Sequence, residues 1–136
     1  MWLCLLVLMM APALLASLAA AAPPTQEDRQ AQAKALYDEG LELYNVGKYQ
    51  AALEKFQAAL AIFHQIGERE WEGHLLIYIG LAYRKLGQYQ EALKYYEESL
   101  AIYRELGDRA GEGDTLNNIG SVYSYLAQYQ EALKYY

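Results

Sequence analysis

Apolar side chains recur along this chain at spacings of three and four residues, as in Ala35, Leu36, Leu43 and Tyr44. That spacing places the side chains on one face of a helix. Glycines interrupt the pattern after runs of helix-forming residues, where a left-handed C-terminal cap favours glycine, at Gly47, Gly67, Gly87 and Gly107. The pattern predicts an all-α protein with six helices, at residues 27–45, 49–65, 71–86, 89–106, 112–126 and 129–136. Because the connections are short, neighbouring helices should pack antiparallel.

The pattern itself repeats, with a period of about 40 residues. Residues 47–86 and 87–126 are identical at 17 of 40 positions, and the ten residues from Ala127 repeat the ten from Gly87 with that single change. A fixed period in this range indicates an array of stacked units, which seldom builds catalytic pockets and commonly builds extended binding surfaces. Because Ala127 stands at the position that matches Gly87, replacing Gly87 by alanine is predicted to be mild.

Small and aromatic residues hold fixed places in each unit. A glycine inside a helix costs about 1 kcal/mol relative to alanine, so its return at Gly40, Gly80 and Gly120 predicts close approach of a partner helix. The facing helices carry small residues at Ala52, Ala92 and Ala132. Larger residues assigned to the core are Leu43, Tyr83, Tyr123, Tyr49, Tyr89, Tyr129, Phe56, Tyr96 and Tyr136.

This arrangement resembles the tetratricopeptide repeat. The second unit carries the motif as Gly80, Tyr83, Gly87, Tyr89, Ala92, Tyr96 and Ser99, and the first as Gly40, Leu43, Gly47, Tyr49, Ala52, Phe56 and Ala59. The resemblance covers about residues 33–136. It implies an α-solenoid of antiparallel helix pairs wound into a right-handed superhelix, with about two and a half repeats, at residues 33–66, 73–106 and, truncated, 113–136.

Two departures from that family shape the functional expectation. The period is longer than the usual tetratricopeptide repeat of about 34 residues, and it resembles the longer repeats of kinesin light chains and of bacterial, especially cyanobacterial, proteins. Such bacterial arrays are often exported or precede a caspase-like protease domain. The third unit stops at Tyr136 in the middle of a predicted helix, which suggests a fragment of a longer array or a missing C-terminal domain. Self-association through exposed repeat ends is a further expectation.

The N-terminal segment, residues 1–22, is apolar and free of charge, ends in alanines and is followed by Pro23 and Pro24. This pattern is typical of a secretory signal peptide, with cleavage after Ala20 or Ala21, and it predicts export to the periplasm or the extracellular space. No Lys or Arg precedes the run, and about 20 apolar residues can span a bilayer. An uncleaved membrane anchor is therefore the alternative. Residues 23–32 are predicted to form a linker and the start of the first helix.

Composition and motifs argue against catalysis and against nucleic acid. The chain carries a net charge of −6, whereas a nucleic-acid partner needs a basic face. His64 and His74 lack the spacing of a zinc site, and the one cysteine, Cys4, lies in the N-terminal segment. The expectation is a protein that is not an enzyme and has no cofactor and no metal. Membrane contact is expected only through an uncleaved N-terminal segment.

The family resemblance implies that the first helix of each pair lines a concave groove that binds a peptide or a partner protein. Candidate partner-binding residues on these helices are Tyr37, Tyr44, Tyr78, Arg84, Lys85, Asn117, Asn118 and Tyr125. The Asn117–Asn118 pair resembles the asparagine with which long-repeat adaptors hold the backbone of an extended peptide. Arg84 and Lys85 are the only adjacent basic pair in the sequence, so they favour an acidic segment. The alternative is that the array is the N-terminal recognition arm of a larger enzyme, such as a caspase-like protease.

Overall fold

The structure, a computed structural model, describes the backbone of residues 22–133 and the side chains of residues 22–130. Apart from Ala22, the predicted signal segment lies outside the described residues, as does Tyr136. The described part contains five α-helices and no strand, which we number α1 (Gln26–Asn45), α2 (Tyr49–Ile66), α3 (Arg69–Lys85), α4 (Tyr89–Leu106) and α5 (Arg109–Leu133). Each helix packs mainly on its sequence neighbours, as in an α-solenoid. None of these helices is long and apolar enough to cross a membrane.

The predicted glycine caps are confirmed. The φ angles of the four turn glycines are positive, at 81° for Gly47, 76° for Gly67, 75° for Gly87 and 69° for Gly107. This left-handed region is open to glycine and unfavourable for residues with a Cβ atom. The four glycines therefore end α1 to α4 and turn the chain into the next helix.

Three helices, α1, α3 and α5, begin earlier than predicted, and polar side chains cap α1 and α5. The Oγ1 of Thr25 accepts a hydrogen bond from the Asp28 N–H at 3.1 Å, and the Asp28 carboxylate accepts one from the Thr25 N–H at 2.9 Å. At the start of α5, the Asp108 carboxylate accepts from the Gly111 N–H at 3.0 Å. Such caps satisfy backbone donors of the first turn, so residues 26 and 109 are already helical.

The predicted break between the fifth and sixth helices is wrong. The helix α5 runs without interruption from Arg109 to Leu133, and Ala127 lies within it. A left-handed alanine costs about 1–2 kcal/mol, whereas alanine is the best helix former, so the chain stays helical where Gly87 turns. The expectation that an alanine at Gly87 would be mild relied on a turn at Ala127 and loses its basis.

The core of the first two units explains their mid-helix glycines. A Cβ atom at Gly40 would lie 2.5 Å from Cε1 of Phe56, and one at Gly80 would lie 2.5 Å from Cε1 of Tyr96. The predicted close approach is therefore confirmed for these units, with an aromatic ring as the contacting group. Both rings are fully buried, as are Ala52 and Ala92.

The third unit lacks this packing. Among the described residues, no atom lies within 4 Å of a Cβ position at Gly120. Tyr123 is 54% exposed and Tyr129 is 64% exposed, so their assignment to the core is wrong. The physical reason is the continuous α5, because within residues 22–133 no second helix folds back on its apolar face.

Candidate functional site

A groove of about 400 Å³ lies between α3 and α5 and gathers three of the predicted binding residues. Tyr78 lines it from α3, and Asn117 and Asn118 line it from α5. The other lining residues are His74, Ile77, Leu81, Tyr103, Gly111 and Asp114. The groove therefore combines an aromatic ring, two carboxamides, a carboxylate and apolar walls along two neighbouring helices.

An aromatic cluster supports the α3 side of this groove and includes Tyr37, another predicted residue. The Tyr37 ring makes edge contacts with Tyr78 and Trp71, each with centroids 5.5 Å apart. Its hydroxyl forms a hydrogen bond with Nε2 of His74 at 3.0 Å. Burial lowers the pKa of His74, so its imidazole is neutral at pH 7. Interlocked rings of this kind hold the groove wall in one arrangement.

Arg84 lies at the opposite end of α3 and connects it to α5. Its Nη1 donates a hydrogen bond to the Ser121 hydroxyl at 3.1 Å. Burial raises the pKa of Tyr44, and the positive charge of Arg84 partly counters that rise. Tyr44 also contacts Tyr49, with ring centroids 5.2 Å apart. Arg84 and Tyr44 thus form a second, basic end of the surface.

Like Tyr37, Tyr44 and Arg84, the last two predicted residues do not line the groove. Lys85 is exposed at the last residue of α3, whereas Arg84 is half-buried, so the two basic side chains do not share one environment. Tyr125 is 50% exposed and stacks on Tyr89 of α4 with centroids 6.0 Å apart. The basic pair that stands together in sequence is therefore divided in the structure.

A second cavity, of about 480 Å³, adjoins the groove near the N-terminal ends of α3 and α5. It is lined by Glu70, Trp71, His74, Tyr103, Asp108, Ala110, Gly111 and Asp114. Neither Trp71 nor Tyr103 was predicted as a site residue from the sequence. The available signal was Gly111, since a Cβ atom there would lie 2.4 Å from Cδ1 of Tyr103. Glycine at that position lets the Tyr103 ring of α4 reach the groove side of α5.

The family model described as tetratricopeptide repeat matches residues 43–105 and 73–136. The chain belongs to the tetratricopeptide repeat family. The crystal structure of the tetratricopeptide repeat domain of Arabidopsis FLU superposes with a TM-score of 0.70 at 20% sequence identity, over 79% of this chain and 91% of that chain. A search of curated proteins finds no significant match. Tetratricopeptide arrays are typically non-catalytic scaffolds, so membership supports a protein-interaction role with protein or peptide partners.

The opposite face of the tetratricopeptide array, formed by α2 and α4, is occupied by ion pairs. The nearly buried Glu72 carboxylate accepts from Arg69 Nη1 at 3.0 Å and contacts Nδ1 of His64 at 3.1 Å. Arg69 also donates through Nε to Glu105 at 3.1 Å. These groups connect α2, α3 and α4, so their role is to stabilise the packing of the three helices. Within residues 22–130, no three His, Cys, Asp or Glu side chains are grouped to hold a metal ion.

Proposed function

We propose that this chain is an exported interaction scaffold whose groove between α3 and α5 binds an extended segment of a partner protein. The observation that carries the proposal is the convergence of Tyr78, Asn117 and Asn118 on one groove. Carboxamides both donate and accept hydrogen bonds, which matches the alternating groups of an extended backbone. Tyrosine adds a large contact area at low entropy cost.

Arg84, near the C-terminal end of α3, would favour an acidic group on the bound segment. Arg84 is half-buried as a residue and its guanidinium is oriented by a hydrogen bond to Ser121, so little side-chain freedom remains to be lost on binding. Guanidinium groups pair with carboxylates through charge-assisted hydrogen bonds. The segment would therefore place an acidic residue or a terminal carboxylate at this end.

The test starts from peptides selected by display of random dodecapeptides on the immobilised chain. Their affinities are then measured by calorimetry for the original chain and for Asn118→Ala and Arg84→Ala. Each substitution should weaken binding by about 1–3 kcal/mol, the usual cost at a binding hot spot. Circular dichroism should show unchanged helicity, because neither side chain belongs to the buried core.

The matched control is Glu98→Ala, an exposed position on the opposite face. It should leave the peptide affinity unchanged. Loss of binding in Glu98→Ala together with unchanged binding in the two groove variants would assign the binding surface to the α2–α4 face and refute the proposal.

Export is tested separately from binding. The motivation is the charge-free run that ends in alanines before Pro23. Mass spectrometry of protein exported by a bacterial host should give an N-terminus near Ala21 or Ala22. Recovery of Met1 in membrane fractions would support the anchor instead.

A further inference from the structure

The two junctions between successive repeats differ most in size at the position of Trp71, which is matched by Gly111. At the first junction, the Trp71 ring stacks on Phe63 with centroids 4.9 Å apart and an interplanar angle of 6°. One repeat later, Gly111 matches Trp71 and Tyr103 matches Phe63. Within the described residues no indole stacks on the Tyr103 ring, and the cavity of about 480 Å³ lies beside it.

Three carboxylates border this cavity, and none forms an ion pair within residues 22–130. They are Glu70, Asp108 and Asp114. By contrast, Glu72, Glu105 and Glu112 each pair with an arginine. Asp108 caps the N-terminus of α5. Glu70 and Asp114 are therefore the two cavity carboxylates that have neither a capping role nor an ion pair among the described residues. The arginines of this region thus neutralise one set of carboxylates and leave the cavity acidic.

The negative charges act together on the Tyr103 hydroxyl. Burial raises the pKa of Tyr103, and Asp108, Glu70 and Asp114 each raise it further. Because the neighbouring His74 is held neutral by burial, it does not offset these charges. The cavity is therefore a partly desolvated, negative and aromatic environment.

The first junction shows what such an environment attracts. The ammonium of Lys34 lies 5.5 Å from the centroid of the Trp71 ring, within the range of a cation–π contact. In the next repeat, the position that matches Lys34 is His74, and the position that matches His74 is Asp114. The second junction therefore keeps an aromatic ring but replaces the cation of the first with a neutral imidazole and adds a carboxylate.

We infer that the cavity beside Tyr103 receives a lysine or arginine side chain of the segment bound in the groove. The aromatic ring and the unpaired carboxylates of Glu70 and Asp114 would hold its charge through cation–π contact and charge-assisted hydrogen bonds. The described residues offer no grouped metal ligands, so the spread carboxylates suit an organic cation. This inference rests on the proposed groove function and assigns its specificity.

The basic residue would also set the spacing of charges along the segment. Trp71 and Arg84 lie on the same helix, and their separation along its axis is about 20 Å at 1.5 Å per residue. An extended segment rises about 3.3 Å per residue. A basic residue in the cavity would thus be followed or preceded, about six residues away, by the acidic residue at Arg84.

The probe is N-acetyl-lysine methylamide, titrated into the isotope-labelled chain and followed by NMR. The neutral probe N-acetyl-norleucine methylamide has the same aliphatic stem without the ammonium. The lysine probe should shift the Gly111 amide and the Trp71 indole signals saturably, and the norleucine probe should not. In Asp114→Asn, which removes an exposed carboxylate, the affinity should fall about fivefold, the upper range for an exposed charge pair.

Glu97→Gln is the matched control, since it removes one exposed negative charge on α4 and should leave the affinity unchanged. Equal shifts with both probes, or equal weakening by Asp114→Asn and Glu97→Gln, would overturn the inference. Selected peptides that depend on Asn118 but are indifferent to Asp114→Asn and carry no basic preference would also overturn it, while the groove function stands. Saturable lysine binding at Gly111 without any Asn118-dependent peptide would support the cavity and refute the groove function.

Discussion

The first two repeats and the third carry nearly the same glycine and aromatic motif, but among the described residues only the first two form a closed helix pair. Gly40 and Gly80 each lie against an aromatic ring from the following helix, whereas Gly120 has no described atom within 4 Å of its Cβ position. The difference begins at the turn, where Gly47 and Gly87 are left-handed and Ala127 is helical. A packing motif is therefore realised only where the turn allows the second helix to return.

Glycine has two roles in this fold. The glycines within α1 and α3 provide space for a ring, while those between helices provide a left-handed backbone. In the third unit, alanine stands at the turn position, so among the described residues no ring returns to contact Gly120.

The largest effect is expected from Gly80→Leu. A Cβ atom there would lie 2.5 Å from Cε1 and 2.7 Å from Cδ1 of the buried Tyr96. Since the ring is enclosed by the core, the free energy of unfolding should fall by about 3 kcal/mol, the upper range for overpacking. Chemical denaturation followed by circular dichroism measures the change.

Gly120→Leu is the internal control for this substitution. With no described atom near its Cβ position, leucine should be neutral or stabilise α5 by up to about 0.8 kcal/mol through helix propensity. Equal destabilisation by the two substitutions would show that Gly120 is also covered, and the contrast between the units would be lost.

The next largest effect is a gain in stability, expected when a glycine turn and a longer second helix are added to the third unit. We propose adding Ala127→Gly and a copy of residues 97–106 after Tyr136. Leu116 is 45% exposed and Tyr123 is 54% exposed, so covering both should add about 2 kcal/mol. The melting temperature should rise, and association seen by light scattering should fall because less apolar surface is exposed.

The same extension with Ala127 retained is the comparison for this design. Without the glycine turn, the added residues should prolong α5 and leave Leu116 and Tyr123 exposed. An equal rise in melting temperature for both designs would show that Ala127 does not control the turn.

Gly87→Ala should lower the free energy of unfolding by about 1.5 kcal/mol, because its φ of 75° is unfavourable for alanine. No atom lies within 4 Å of its Cβ position among the described residues, so the effect isolates backbone conformation from packing. Thermal and urea unfolding would measure it. A change within experimental error would mean that the turn relaxes to another conformation.

Much of the fold followed from local signals in the sequence. The repeat period, the capping glycines and the mid-helix glycines predicted four of the described helices with small errors at their ends, as well as the close contacts of Gly40 and Gly80. The continuity of α5 was missed because repeat alignment treated Ala127 as equivalent to Gly87. The alignment matched the residues but could not weigh the backbone conformation that only one of them adopts readily.

The candidate site was less accessible from sequence. Helical projection brought Tyr78, Asn117 and Asn118 to one face, and the structure places them in one groove. It could not show that Arg84 and Lys85 differ in burial, or that Tyr103 reaches the groove from α4 beside Gly111. Those features depend on contacts between units, which periodicity within a unit does not specify.

The smallest expected effect distinguishes the two complete repeats from each other. The rings that lie on Gly40 and Gly80 are Phe56 and Tyr96, and the buried Tyr96 hydroxyl has no hydrogen-bond partner among the described residues. An unsatisfied buried hydroxyl costs about 1–3 kcal/mol, and the first unit shows that phenylalanine fits this place. Tyr96→Phe should therefore stabilise the chain by about 1 kcal/mol in urea unfolding.

A pH series sharpens this last prediction. Burial raises the pKa of Tyr96 from 10.0 to about 12, against a smaller lowering by Arg84. The folded pKa lies above the unfolded one, so the unfolded chain releases this proton first. The free energy of unfolding is therefore highest below pH 10 and falls as the pH rises towards 12. The original chain should thus lose more stability than Tyr96→Phe across that interval. Tyr123→Phe, which removes an exposed hydroxyl, should match the original chain, and equal alkaline losses in all three would show that Tyr96 is not the buried group.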